Sequence, residues 1–200
     1  MNFNPNATID NAVLAKARLF MGTLPDIPEG DIHRIYLHWA VAPFGCTFTD
    51  YNFMVNLING QWVIQTTGDP RDNVPGLTNK PVHSHTWHRN SYALGIAIGG
   101  MDGATTSNFG PDAVQLHELE VLCAAAATVA KAYGVQANLP VGITMREHTI
   151  MTHAECAAQD GYFGERWDLA RFEPGPISPE IARAHGDLLR KRIHVIKAAM

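Results

Sequence analysis

The dipeptide Asn59-Gly60 constrains the fold of this chain more than any other feature of its sequence. It divides the stretch Asn52 to Gln65 (NFMVNLINGQWVIQ) into two apolar, strand-forming runs. Asn and Gly tolerate the positive φ angles that a two-residue turn demands, so the spacing predicts a tight antiparallel hairpin. Other strands are legible on either side of it. Arg34 to Ala40 (RIYLHWA) alternates apolar with other residues and carries His38 inside it. Ala93 to Ile98 (ALGIAI) is apolar throughout and ends at Gly99-Gly100, as a buried strand would. Val141 to Met145 reads as a further strand.

Between the strands the pattern becomes helical. Thr8 is placed to cap a helix running to about Phe20, with apolar Ile9, Val13, Leu14, Ala17 and Leu19 and with Gly22 beyond its end. Asp112 can cap a long helix to about Tyr133, where Gly134 would stop it. Ser178-Pro179-Glu180 is a good start for an amphipathic C-terminal helix to Lys197, with Ile181, Leu188, Leu189, Ile193 and Ile196 as its apolar positions. Strands alternating with helices place the chain in the α/β (α+β) class. The expected organisation is a helical flank over residues 1–30, a main domain over 31–175, and a C-terminal helix over 176–200 packed on that same domain. Between Thr67 and Asn90 lies a long loop rich in Pro, Gly and His, and loops of that length in compact domains usually serve function.

Composition narrows the chemistry. With 15 Lys+Arg against 19 Asp+Glu, the formal charge of −4 argues against a nucleic-acid partner. The opening MNFNPNATID lacks a basic segment followed by an apolar one, and the uncharged run from Val121 to Ala130 is too short to span a bilayer. The expectation is a chain made in the cytoplasm without a membrane span or a visible export signal. Three widely spaced cysteines, Cys46, Cys123 and Cys156, do not form a disulfide framework, and Cys46 and Cys123 read as small apolar core residues.

No Gly-x-Ser-x-Gly elbow, phosphate loop or Cys-x-x-Cys occurs, and His117-Glu118 is followed by Val121 where a His-Glu-x-x-His motif would need histidine. What remains is ten histidines, spread over a strand, the long loop and the segment His148 to Asp168. A catalytic zinc takes about three protein ligands on rigid elements and keeps one position open. Strand-borne His38 suits that requirement, and His153 with Asp168 can close such a site. Each also has a plainer reading: a lone strand histidine as a hydrogen-bonded core or surface residue, Asp168 as a helix cap. Cys156 is the rival third ligand, since thiolate is a good zinc donor.

Five pieces in order carry a resemblance: the IYLHWA strand, Tyr51-Asn52-Phe53-Met54-Val55, His85-Thr86 before Asn90, Leu94-Gly95-Ile96, and the segment from His153 to Trp167-Asp168. Over roughly Ile32 to Phe172 the chain resembles the zinc-dependent N-acetylmuramoyl-L-alanine amidases of the type 2 family, which include phage amidase lysins and the peptidoglycan recognition proteins. The resemblance implies a central mixed β-sheet flanked by helices, with one zinc ion in a shallow groove held by His38, His153 and Asp168. The last ligand in that family lies beyond an intervening loop, which favours Asp168 over Cys156. The bond implied is the amide between the lactyl group of N-acetylmuramic acid and L-alanine, in a peptidoglycan or muropeptide substrate.

Tyr51 matches a tyrosine that orients the attacking water in phage amidases, although a packed strand aromatic is the plainer alternative. Arg166 matches a lysine position and could stabilise an oxyanion as a fixed cation. Some bacterial relatives carry a glutamate where this chain has Ala97. Glu155 could replace that base, but a helix-face or surface role suits it better. His85, Trp87 and Asn90 are expected in the substrate groove, with His88 and Arg89 on the same wall. His33, His83, His117, His148, His185 and His194 receive no role. An endolysin-like enzyme is expected to act on the cell wall, and a recycling enzyme in the cytoplasm. The alternative to either is a muropeptide-binding module without catalysis.

Overall fold

The computed structural model describes residues 2–137 and 149–200. Its strands are β1 (Arg34–Trp39), β2 (Phe53–Ile58), β3 (Gln61–Thr66), β4 (Ala93–Ile98) and β5 (Ile150–Thr152). Its helices are α1 (Asn11–Met21), α2 (Leu116–Ala132), α3 (His153–Asp160) and α4 (Pro179–Ala199), with a short 3-10 turn at Pro70–Asn73. The strands form one mixed sheet in the order β3-β2-β4-β1-β5. The α/β class expected from the sequence is the class observed. The strand expected at Val141–Met145, and His148, lie outside the described residues.

Asn59 and Gly60 adopt φ values of +50° and +72°, and the turn sets Ile58 opposite Gln61 and Leu57 opposite Trp62. All other strand pairs are parallel, with β1 and β4 at the centre. Parallel strands covered on both faces need apolar residues throughout, and β4 is buried along its whole length. Strand alternation sends Ile35, Leu37 and Trp39 with Leu94, Ile96 and Ile98 into the main core, beneath α2. Helix α2 is buried almost all round. Its run Ala124–Ala127 is small enough to let it lie close to the sheet while α1 and α4 pack against it.

Two helix starts differ from expectation. Asp10, not Thr8, caps α1: its side chain accepts from Ala12 N at 2.8 Å and its carbonyl accepts from Leu14 N at 3.1 Å. Helix α2 starts at Leu116, not after Asp112. The Asp112 carbonyl accepts from Met101 N at 2.8 Å, and the cap is instead formed by Gln115 N donating to Glu118 Oε2 at 2.8 Å. Cys123 is a core residue as expected, whereas Cys46 is only partly buried, in the loop between β1 and β2.

The opposite face of the sheet carries Tyr36 and His38, flanked across β4 by Gly95 and Ala97. These small residues leave room above the sheet. A Cβ at Gly95 would lie 2.4 Å from Cγ of His85, so that glycine is the seat on which the loop histidine rests.

Candidate metal centre

Three elements bring three donors to one point. His38 stands on β1, facing away from the main core. His153 is the first residue of α3, immediately after β5. The start of α3 is fixed by a reciprocal capping box: Glu155 N donates to Thr152 Oγ1 at 3.2 Å, and Thr152 N donates to Glu155 Oε2 at 2.9 Å. Asp168 sits in a turn closed by Ala170 N donating to Trp167 O at 2.8 Å, and its backbone carbonyl accepts from Ala154 N at 3.2 Å. Leu169, fully buried, takes φ +60° next to it, a costly conformation for a branched residue and one found where a site imposes it. The indole of Trp167 packs edge-on against Trp39 at 5.3 Å, which anchors this turn to the end of β1.

His38 Nδ1 and His153 Nδ1 are 3.2 Å apart; Asp168 Oδ2 is 3.3 Å from the first, and Asp168 Oδ1 is 3.1 Å from the second. Donors at about 2.1 Å around a tetrahedral ion lie about 3.4 Å from one another, so the spacing already fits one metal ion. Two imidazole nitrogens and a carboxylate converging on one point are also the donor types that a zinc ion takes. The buried His38, His153 and Asp168 group could hold a metal ion. Cys156 does not belong to it: the thiol is fully buried among Tyr36, Ala93 and Met151.

The electrostatics suit that role. Burial holds His38 down at about 4, only partly opposed by Asp168, so its imidazole is unprotonated at neutral pH and offers a lone pair. Burial alone would push the Asp168 carboxyl up, but the facing histidines outweigh it and keep the group ionised well below the usual carboxylate range. The second nitrogen of His38, Nε2, lies 3.3 Å from Thr86 Oγ1, which in turn lies 3.0 Å from His85 Nδ1. With Nε2–H donating to Thr86, and Thr86 donating onward to His85, the tautomer of His38 leaves Nδ1 free for an ion. Asn90 Oδ1 accepts from Thr86 N at 2.8 Å and so positions this link.

The other expected site residues are placed as follows. The Tyr51 ring is 5.2 Å from that of His38, and its hydroxyl lies 3.5 Å from the Trp39 carbonyl. Burial, then Asp168, raises its pKa, so Tyr51 keeps its proton. Beside the metal group opens a groove of about 860 Å³, lined by His85, Trp87, His88, Asn90, Tyr162 and Arg166 among others. Trp87 is 60% exposed and packs edge-on to Tyr162 at 5.4 Å. Arg166 is exposed on its rim and donates to the neighbouring Glu165 carbonyl at 3.3 Å. Arg89 is not part of the lining; it pairs with Asp160, Nε to Oδ2 at 2.6 Å, and straps the loop to the end of α3.

Ala97 is the Cα partner of His38, so no carboxylate stands at that position. Glu155 is no surface residue. It is completely buried and paired with Arg190 of α4 through two contacts of 2.8 Å. Sequence reasoning gave no role to Thr86, Tyr162 or Arg190. The capping-box spacing Thr152-x-x-Glu155 was the available signal for α3 and for the inward orientation of Glu155. Comparison of the chain with protein-family models, with curated proteins and with solved structures finds no match.

Proposed function

We propose that this chain is a zinc-dependent amidase that cleaves the bond between N-acetylmuramic acid and L-alanine of peptidoglycan. The metal part of the reading is carried by the convergence of His38 Nδ1, His153 Nδ1 and the Asp168 carboxylate within 3.1–3.3 Å of one another, at the edge of a groove of about 860 Å³; the amide bond and the substrate rest on the resemblance of the Ile32 to Phe172 segment. Two nitrogens and one carboxylate, leaving a position open, suit a catalytic zinc site. Zinc bound there would supply Lewis acidity, making water nucleophilic near neutral pH and polarising an amide carbonyl.

The rest is done by the chain. Asp168 offsets one positive charge in a buried setting. Thr86 and His85 fix the ring of His38. Tyr51, protonated through neutral pH, can donate a hydrogen bond to an oxygen near His38 and so orient it. Trp87 and Tyr162 offer aromatic faces to a sugar ring, and Arg166 a cation to the peptide portion or to a developing negative charge. A groove of this volume is within the range of sites that bury a drug-sized ligand, enough for the part of a glycopeptide around the scissile bond. A role in lysing or remodelling the cell wall follows from the substrate.

Mass spectrometry of sacculi digested with the zinc-loaded protein tests the proposal. Free stem peptides beginning with L-alanine are the expected product. Disaccharides with new reducing ends would mean a glycosidase, and sacculi bound but uncut would mean a binding module.

A further inference from the structure

Arg190 is a cation from the C-terminal helix that is only 1% exposed, and among the described residues its hydrogen-bond partners outside α4 are Ile150 and Glu155, both in the segment carrying His153. Its guanidinium donates to the Ile150 carbonyl of β5 at 3.0 Å and forks onto both oxygens of Glu155 at 2.8 Å. Glu155 Oε2 simultaneously accepts from Thr152 N. The pair therefore grips the chain on both sides of His153: β5 before it, and the first turn of α3 after it. That same first turn holds Asp168, through Ala154 N and the Asp168 carbonyl. Helix α4 is shaped for the contact. A Cβ at Gly186 would lie 2.2 Å from Glu155 Oε2, so only glycine lets the carboxylate press against the helix. A pair that served only to dock α4 could be made with any surface of the domain, and Arg192 makes such a pair with Glu120 of α2.

We propose that Arg190 and Glu155 are positioning residues of the metal centre, through which α4 sets how tightly His153 and Asp168 hold an ion. The proposal rests on the metal reading of the His38–His153–Asp168 group. Groups hydrogen-bonded directly to ligands change metal affinity about 10- to 100-fold when removed; this pair acts through the backbone on either side of His153, so the lower end of that range applies.

The test measures zinc and cobalt affinity by competition with a chromophoric chelator, the visible spectrum of the cobalt form, and the melting temperature of the metal-free chain. The double variant Glu155→Met/Arg190→Met leaves no buried charge alone. It is expected to bind zinc about tenfold more weakly and to show an altered cobalt spectrum. Arg190→Lys keeps the charge but cannot span Ile150 and both Glu155 oxygens, and it should fall between the double variant and the native chain. It gives the same reading if the double variant does not fold. Native affinity and a native cobalt spectrum in these variants, with only the metal-free melting temperature lowered, would overturn the proposal and leave the pair a purely structural anchor. A native chain that takes up neither ion would overturn the metal reading itself, and the proposal with it.

Discussion

Zinc should stabilise this protein by an amount that can be worked out in advance, and only while Asp168 is present. The three donors stand 3.1–3.3 Å apart before any ion arrives, so binding need not reorganise the fold and its free energy adds to stability. At a free zinc concentration a thousand times the dissociation constant, the gain is about 4 kcal/mol. Unfolding entropy of about 2.1 cal/mol/K per residue, over 200 residues, amounts to about 0.4 kcal/mol/K. The melting temperature should therefore rise by about 10 °C, and a chelator should reverse the rise. Differential scanning calorimetry with and without zinc measures it. In Asp168→Ala the increment should vanish, because two imidazoles alone leave the ion poorly held and its charge uncompensated in a buried site. In Cys156→Ser the increment should persist, since that thiol lies in a separate apolar cluster. An undiminished increment in Asp168→Ala, or its loss in Cys156→Ser, would refute the assignment of donors.

Much of the sheet was legible because its signals are local. Asn59-Gly60 announces its own turn, and the unbroken apolar run Ala93–Ile98 needs cover on both faces wherever it lies. Two helix starts were less legible. Thr8 and Asp10 are both cap residue types, spacing alone does not choose between them, and the chain uses Asp10. The Asp112 carbonyl is bonded to Met101 at the start of the same β4–α2 connection, a contact that no local signal announces. At the site, residue types alone left plainer readings open and the resemblance singled out His38, His153 and Asp168, and the fold brings these three together. What lies one step behind them was hidden. Nothing in the spacing of Thr86, or of Arg190 some 37 positions after His153, says which histidine each will serve, because that depends on the packing of the loop and of α4.

Further outcomes are expected. His38→Ala and His153→Ala should each abolish amide hydrolysis while circular dichroism shows a folded chain; full activity in either would remove the zinc reading. The metal-free protein should lose about 3 kcal/mol of stability as pH falls from 6.5 to about 4, because buried His38 resists a proton that the unfolded chain accepts. The sign follows from the lowered pKa of the folded state. Asp168 acts only at more acidic pH, so a denaturant series on His38→Ala should show a shallower dependence across that window, and an unchanged slope would count against it. Tyr51→Phe should retain zinc and KM but lose about 10²-fold in kcat, since the half-buried phenol beside His38 keeps the proton it would donate. Arg166 should behave differently. Its guanidinium is exposed on the groove rim and, among the described residues, donates to the carbonyl of its own neighbour, so solvent screens it and no fixed geometry aims it at a reacting atom. An exposed cation of that kind serves better to grip a peptide carboxylate than to stabilise a transition state. Arg166→Ala should therefore raise KM about tenfold with kcat little changed, the pattern of lost uniform binding. A fall in kcat at constant KM would instead place Arg166 on the developing oxyanion and would mean that the side chain folds inward when substrate binds.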